Sequence, residues 1–247
     1  MADLRRQCVA ELTGTGLLVA VVVGSGIAAQ RLSPGDVGVE LLENALATGA
    51  GLVAIILALG PISGAHLNPV VTLASALLGG LPWRSVPAFI ASQVLGAVCG
   101  AVLANLMFGD APISIATHAR SGGGLWLGET VATFGLVLTI FGLVRSGRLA
   151  AAPYAVAAYI TAAYWFTSST SFANPAVTIG RTLSDSFAGI APPSAPAFIA
   201  SQLIGGLAAA GLTRYLFPAA DAPDAALIMA WDANGSEPTA VELAARR

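Results

Sequence analysis

Apolar residues in this chain run on in long blocks rather than alternating with polar ones, and Gly- and Pro-rich connections separate the blocks. Six blocks cover roughly residues 8–29, 41–60, 86–108, 126–144, 151–167 and 195–217. Each is close to the ~20 residues a helix needs to cross a hydrocarbon core. Two shorter apolar segments lie between the second and third blocks and between the fifth and sixth, ending near Leu78 and Leu183. The first opens on Ser63-Gly64-Ala65-His66-Leu67-Asn68-Pro69-Val70, the second on Thr170-Ser171-Phe172-Ala173-Asn174-Pro175-Ala176. Asn is a good N-cap and Pro suits the first helical position, so each Asn-Pro pair predicts a helix start. The tails are too short to span, which predicts re-entrant half-helices. A helix that begins inside a bilayer is tolerated only where its backbone lines a watery cavity or is buried in protein. The pattern therefore points to a pore or a substrate site.

The two halves of the chain repeat. Ala88-Phe89-Ile90-Ala91-Ser92-Gln93 returns unchanged as Ala197-Phe198-Ile199-Ala200-Ser201-Gln202. Glu11 at the head of the first span is echoed by Glu129 at the head of the fourth, and the Asn-Pro segments occupy the same slot in each half. Three spans per half is an odd number, so the second half enters from the opposite side and the halves form an inverted repeat, an architecture of transport proteins. Small residues spaced i, i+4, Gly96 with Gly100 and Gly205 with Ala209, predict close helix crossings in spans three and six.

Composition agrees with a membrane location. The 247 residues are 56% hydrophobic and 10% charged, with a mean hydropathy of +0.79. Soluble domains carry about 25% charged residues. The net charge of −2 gives no reason to expect a nucleic-acid partner. All eleven basic residues are arginine. With the N-terminus in the cytoplasm, eight of them lie on that side and Arg31, Arg120 and Arg181 lie outside, which favours cytoplasmic termini. Cys8 and Cys99 read as small apolar residues rather than a disulfide. Residues 1–217 form one channel-like domain on this reading, and the polar stretch 218–247 is a loose tail.

Inverted half-helices would bring Asn68 and Asn174 together near the midplane. Their amide donors and the positive ends of two helix dipoles would then orient a water and oppose protons and cations. At these residues the sequence resembles the aquaporin (major intrinsic protein) family over about residues 8–217. The resemblance rests on the Ser-Gly-Ala-His-Leu-Asn-Pro run, on Asn174-Pro175-Ala176, on Glu11 and Glu129, and on the repeat. It implies an all-α membrane bundle of six transmembrane helices and two re-entrant half-helices. It also implies one pore per subunit in a homotetramer, set in the lipid bilayer of a bacterial inner membrane. The pore motif is then Asn68, Pro69, Val70, Asn174, Pro175 and Ala176. The glutamates matching Glu11 and Glu129 brace the half-helix loops in the family; the alternative is proton-coupling acids of a secondary transporter. His66 reads as a structural contact of the first loop, not a metal ligand, and no cofactor is implied.

The selectivity filter departs from the family pattern. The usual arginine three residues after the second Asn is Val177, and the usual span-two aromatic is Thr48. Ser171 and Phe172 precede the second motif. The span-five position falls at Thr161 or Ala162, open by one residue because the second loop may run one residue longer around Phe172. Replacing bulk and charge by Thr48 and Val177 predicts a wide pore for small neutral solutes, glycerol and arsenite among them. Arg181, one turn past Val177, is either a charge at the outer mouth or an arginine snorkelling to the interface. The competing readings are a secondary transporter and a water-only channel. No nucleophile–base set or cofactor motif indicates an enzyme.

Overall fold

The computed structural model describes residues 3–218 as eight α-helices joined by turns and short 3-10 segments, with no strand among them. In chain order these are α1 (Leu4–Leu32), α2 (Val37–Ser63), α3 (Pro69–Leu77), α4 (Val86–Met107), α5 (Gly123–Arg145), α6 (Ala152–Phe166), α7 (Pro175–Arg181) and α8 (Ala195–Leu216). Six are long and apolar enough to cross a membrane. The other two, α3 and α7, have nine and seven residues, so they reach only about 10–14 Å at 1.5 Å per residue. The six spans and two half-helices are thus those the sequence predicts. Helices α1, α2 and α5 run longer than their apolar blocks, α1 into polar flanks such as Arg5 and Arg31, whereas α4, α6 and α8 end a residue or so inside theirs. The polar stretch beyond residue 218 falls outside the described residues.

Helix α1 packs on α4 and α5 packs on α8, the same pair in each half. The crossings need glycine. A Cβ added at Gly96 would lie 2.2 Å from the Leu12 carbonyl oxygen, and one at Gly100 the same distance from that of Gly16. In the second half a Cβ at Gly205 would lie 2.2 Å from the Thr130 carbonyl oxygen. Backbone therefore touches backbone at both crossings, the route to tight association where lipid supplies no hydrophobic drive. Large apolar side chains such as Leu17, Leu46, Leu103, Leu127 and Ile204 remain exposed on the outside, as a bilayer-embedded surface requires. Cys8 and Cys99 are free thiols.

Candidate functional site

Two loops precede the half-helices, and they match residue for residue. Ser63, Gly64, Ala65, His66, Leu67 and Asn68 correspond to Ser169, Thr170, Ser171, Phe172, Ala173 and Asn174. The match covers residues 63–68 and 169–174. Because α6 ends at Phe166 whereas α2 runs to Ser63, the connection before α7 takes residues 167–174 against 64–68 before α3, and its additional residues precede Ser169 rather than fall around Phe172. Gly64, Ala65 and Leu67 have φ of 84°, 46° and 51°, and Thr170, Ser171 and Ala173 have 61°, 50° and 49°. A non-glycine residue in this left-handed region is held there at a cost of about 1–2 kcal/mol, so something must fix the backbone.

The glutamates do so. Glu11 accepts from His66 N at 3.0 Å, Leu67 N at 2.7 Å, Ser63 Oγ at 2.6 Å and Gln93 Nε2 at 2.7 Å. Glu129 accepts from Phe172 N at 2.8 Å, Ala173 N at 2.9 Å and Gln202 Nε2 at 2.6 Å. Both carboxylates are completely buried. A buried charge is tolerable only when hydrogen-bonded in this way. Gln93 also donates to Thr72 Oγ1 at 2.9 Å, as Gln202 does to Thr178 Oγ1 at 2.9 Å. The repeated Ala-Phe-Ile-Ala-Ser-Gln hexapeptide thus supplies the amide that backs each brace. It also supplies Phe89, 5.4 Å from the His66 ring, and Phe198, 5.1 Å from the Phe172 ring. His66 Nδ1 lies 3.2 Å from Thr72 Oγ1.

With the loops held, the half-helices meet N-terminus to N-terminus. Asn68 Nδ2 donates to the Ala173 carbonyl at 2.8 Å, and Asn174 Nδ2 donates to the Leu67 carbonyl at 2.7 Å. Each Asn oxygen caps its own helix, Asn68 from Val70 N and Asn174 from Ala176 N and Val177 N. The two loops are therefore laced together, and one amide proton of each Asn is left for the cavity that both side chains line. The positive ends of α3 and α7 converge there. Pro69, Val70, Pro175 and Ala176 are buried in the first turns. Val70 seats against Gly206, where an added Cβ would come 2.1 Å from its Cγ1.

The cavity runs past these amides between α2, α5 and α6. Thr48, Ser171, Phe172, Val177 and Arg181 all line it, as do Leu52, Ile160 and Leu136 from the long helices. Thr161 and Ala162 do not. The Thr161 hydroxyl donates to the Ala157 carbonyl at 2.8 Å and lies against Gly49 of α2, and Ala162 is exposed on the outside of the bundle. Tyr164 lines the cavity from α6, its hydroxyl 3.2 Å from Thr48 Oγ1. The connection from α6 to α7 takes residues 167–174, with Thr170 N closing a turn on the Thr167 carbonyl at 3.2 Å, and this turn sets which face of α6 meets the cavity. The signal was present as a stripe at helical spacing, Val156, Ile160 and Tyr164.

Arg181 does not snorkel. It is 2% exposed, its Nε donates to the Ala188 carbonyl, and its guanidinium carbon lies 3.4 Å from the centroid of the Phe172 ring. Arg120, which the sequence placed only in an external loop, is 8% exposed and lies 5.3 Å from the same ring centroid. Burial is the main cause lowering the Arg120 pKa, opposed by the charge of Glu129. Nothing in the local sequence around Arg120 marks it, because its partners lie about 70 residues away at Phe187 and Gly189.

This geometry can be set beside known proteins. The chain superposes on the X-ray structure of the aquaglyceroporin from Plasmodium falciparum with a TM-score of 0.68, covering 89% of this chain and 99% of that one at 18% identity. At that identity the likeness speaks to the fold alone. It is 50% identical to aquaglyceroporin AqpS of Rhizobium meliloti (strain 1021), over 87% of this chain and 91% of that protein. It is 33% identical to aquaporin AqpM of Methanothermobacter thermautotrophicus, over 87% of this chain and 99% of its relative. The Major intrinsic protein model matches residues 1–170 and again 147–245. An inverted pair of braced Asn-Pro half-helices, long relatives and a family match in both halves agree: the chain is a multi-pass membrane protein of the major intrinsic protein family.

Proposed function

We propose that this protein is a passive channel for water and small uncharged solutes such as glycerol, with arsenite a further candidate. The carrying observation is the laced pair Asn68 and Asn174, each with one amide proton facing a cavity whose opposite wall is apolar. A solute passing that point meets two amide donors and the positive ends of two helix dipoles, so hydroxyl oxygens are received while protons are opposed. Glu11 and Glu129 act as braces: their oxygens are committed to loop N–H groups and glutamine amides, which leaves no carboxylate in the cavity wall to couple transport to protons.

Thr48, Tyr164, Ser171, Phe172 and Val177 form the filter, with Arg181 at its outer end and His66 shaping the first loop. Val177 occupies the place where a filter arginine is expected. The channel domain spans residues 1–217, both termini face the cytoplasm of a bacterial inner membrane, and four subunits assemble with one pore each. The arginine bias supports the orientation, and a relative from Rhizobium meliloti supports the bacterial setting.

The test is stopped-flow light scattering on proteoliposomes, comparing the parent with Thr48→Phe plus Val177→Arg. A parent that passes water and glycerol, and a double variant that keeps water but loses glycerol, is the expected result. The presence of Tyr164 and Arg181 in the cavity wall favours one other reading, a water-only channel. A parent that passes water and excludes glycerol would establish that reading instead.

A further inference from the structure

A channel of this kind has no charge assigned to its filter, since Val177 carries none. Building on the channel reading, we propose that Arg181 is the charged selectivity residue of this pore and that Arg120 is the residue that positions it, through the loop 187–189. Arg181 lies four residues beyond Val177 on the same face of α7, about 6 Å further along the helix axis. It lines the cavity with Val177, so the charge is displaced by one turn rather than lost.

The seat of the guanidinium is built. One face rests on the Phe172 ring, and Nε is spent on the Ala188 carbonyl. Among the described residues no other protein acceptor takes its remaining N–H groups, and no carboxylate pairs with it; the one ion pair is Arg31 with Asp110. The carboxylate that acts on it electrostatically, Glu129, is committed to Phe172 N, Ala173 N and Gln202. A positive charge with free donors therefore stands in the wall of the solute path.

What holds Ala188 is Arg120. Its Nε donates to the Gly189 carbonyl at 2.9 Å and its Nη2 to the Phe187 carbonyl at 3.1 Å. Three successive carbonyls are thus divided between two guanidiniums, and the middle one is the acceptor for Arg181. The backbone N–H of Arg120 donates to Ser194 Oγ at 3.1 Å, which fixes the clamp to the start of α8. On the other side Ala188 packs on Gly26 of α1, where an added Cβ would lie 2.8 Å from the Ala188 Cβ. Arg120 and Gly26 are outside the set of residues that line the cavity, so neither touches a solute directly. The consequence is a filter that repels cations and donates hydrogen bonds to solute oxygens, at a level one turn beyond Val177.

The experiment uses the full chain in proteoliposomes and reads two quantities, the K+ leak under an imposed gradient and the glycerol-to-water permeability ratio. Arg181→Gln is expected to raise the leak about tenfold, since a full charge at contact distance outweighs that factor in a screened site, and to raise the ratio about twofold. Arg120→Gln and Gly26→Ala are expected to move both in the same direction by smaller factors. Arg84→Gln, which also removes a charge but from an exposed site at the start of α4, is expected to behave as the parent. An Arg181→Gln protein that passes water normally yet keeps the leak and ratio of the parent overturns the proposal. If that variant does not insert, Gly26→Ala decides, because it removes no charge, and an unchanged ratio overturns the clamp. A parent that passes neither water nor glycerol defeats the channel reading itself, whereas an indifferent Arg181→Gln in a conducting parent defeats only the displaced charge.

Discussion

The six residues ending at Asn68 and the six ending at Asn174 share three left-handed residues in the same positions, a buried glutamate, a glutamine behind it and an aromatic partner. Of the four pairs that differ in residue type, one differs in chemistry that reaches across the halves, His66 against Phe172. His66 turns its ring nitrogen to Thr72, within its own half. Phe172 offers a ring face, and two arginines gather on it. The comparison separates two tasks. Backbone shape in a low-dielectric interior is set by charge-assisted bonds that both halves must make, because left-handed residues and orphaned N–H groups are expensive there. Chemistry in the pore is set by side chains that only one half carries.

The most severe way to break the comparison is to remove the braces. Glu11→Ala orphans four donors and Glu129→Ala three, each at about 1–3 kcal/mol. Both variants are expected to lose most of their folded protein in detergent, Glu11→Ala more than Glu129→Ala. A Glu129→Ala protein with the thermal half-inactivation temperature of the parent would contradict the brace.

Exchanging the differing side chains is the next test. Phe172→His is expected to loosen Arg181 and change the glycerol-to-water ratio about threefold, roughly 0.7 kcal/mol of barrier. His66→Phe should lose one hydrogen bond to Thr72, about 0.5–1.5 kcal/mol of stability, and leave the ratio near that of the parent. Equal effects of the two exchanges on the ratio would show that the asymmetry has no functional weight.

On α6 the expected effects are smaller. Tyr164→Phe removes the partner of the Thr48 hydroxyl and should change glycerol permeability about twofold, a fraction of a kcal/mol. Thr161→Val, off the cavity, and Ala162→Val, on the outer surface, should change it by less than the scatter of the assay. A larger effect from Thr161 than from Tyr164 would return the filter position to the one read from sequence.

The sequence by itself determined the architecture. Membrane spans are legible because a span needs a long apolar run whatever it packs against, and the half-helices because Asn-Pro fixes a helix start locally. The inverted repeat was legible because its landmarks recur in order, and so Glu11, Glu129, Asn68 and Asn174 were found. The tertiary structure alone decided which face of α6 meets the cavity, since that depends on how many residues the turn at Thr167–Thr170 consumes. It alone decided that Arg181 is buried on an aromatic ring rather than drawn to the interface. It alone brought Arg120 to the loop 187–189, because a contact across about 70 residues leaves no mark in local spacing. Periodic and capping signals act over one or two turns, whereas side-chain chemistry in a pore is assembled from elements that only packing brings together.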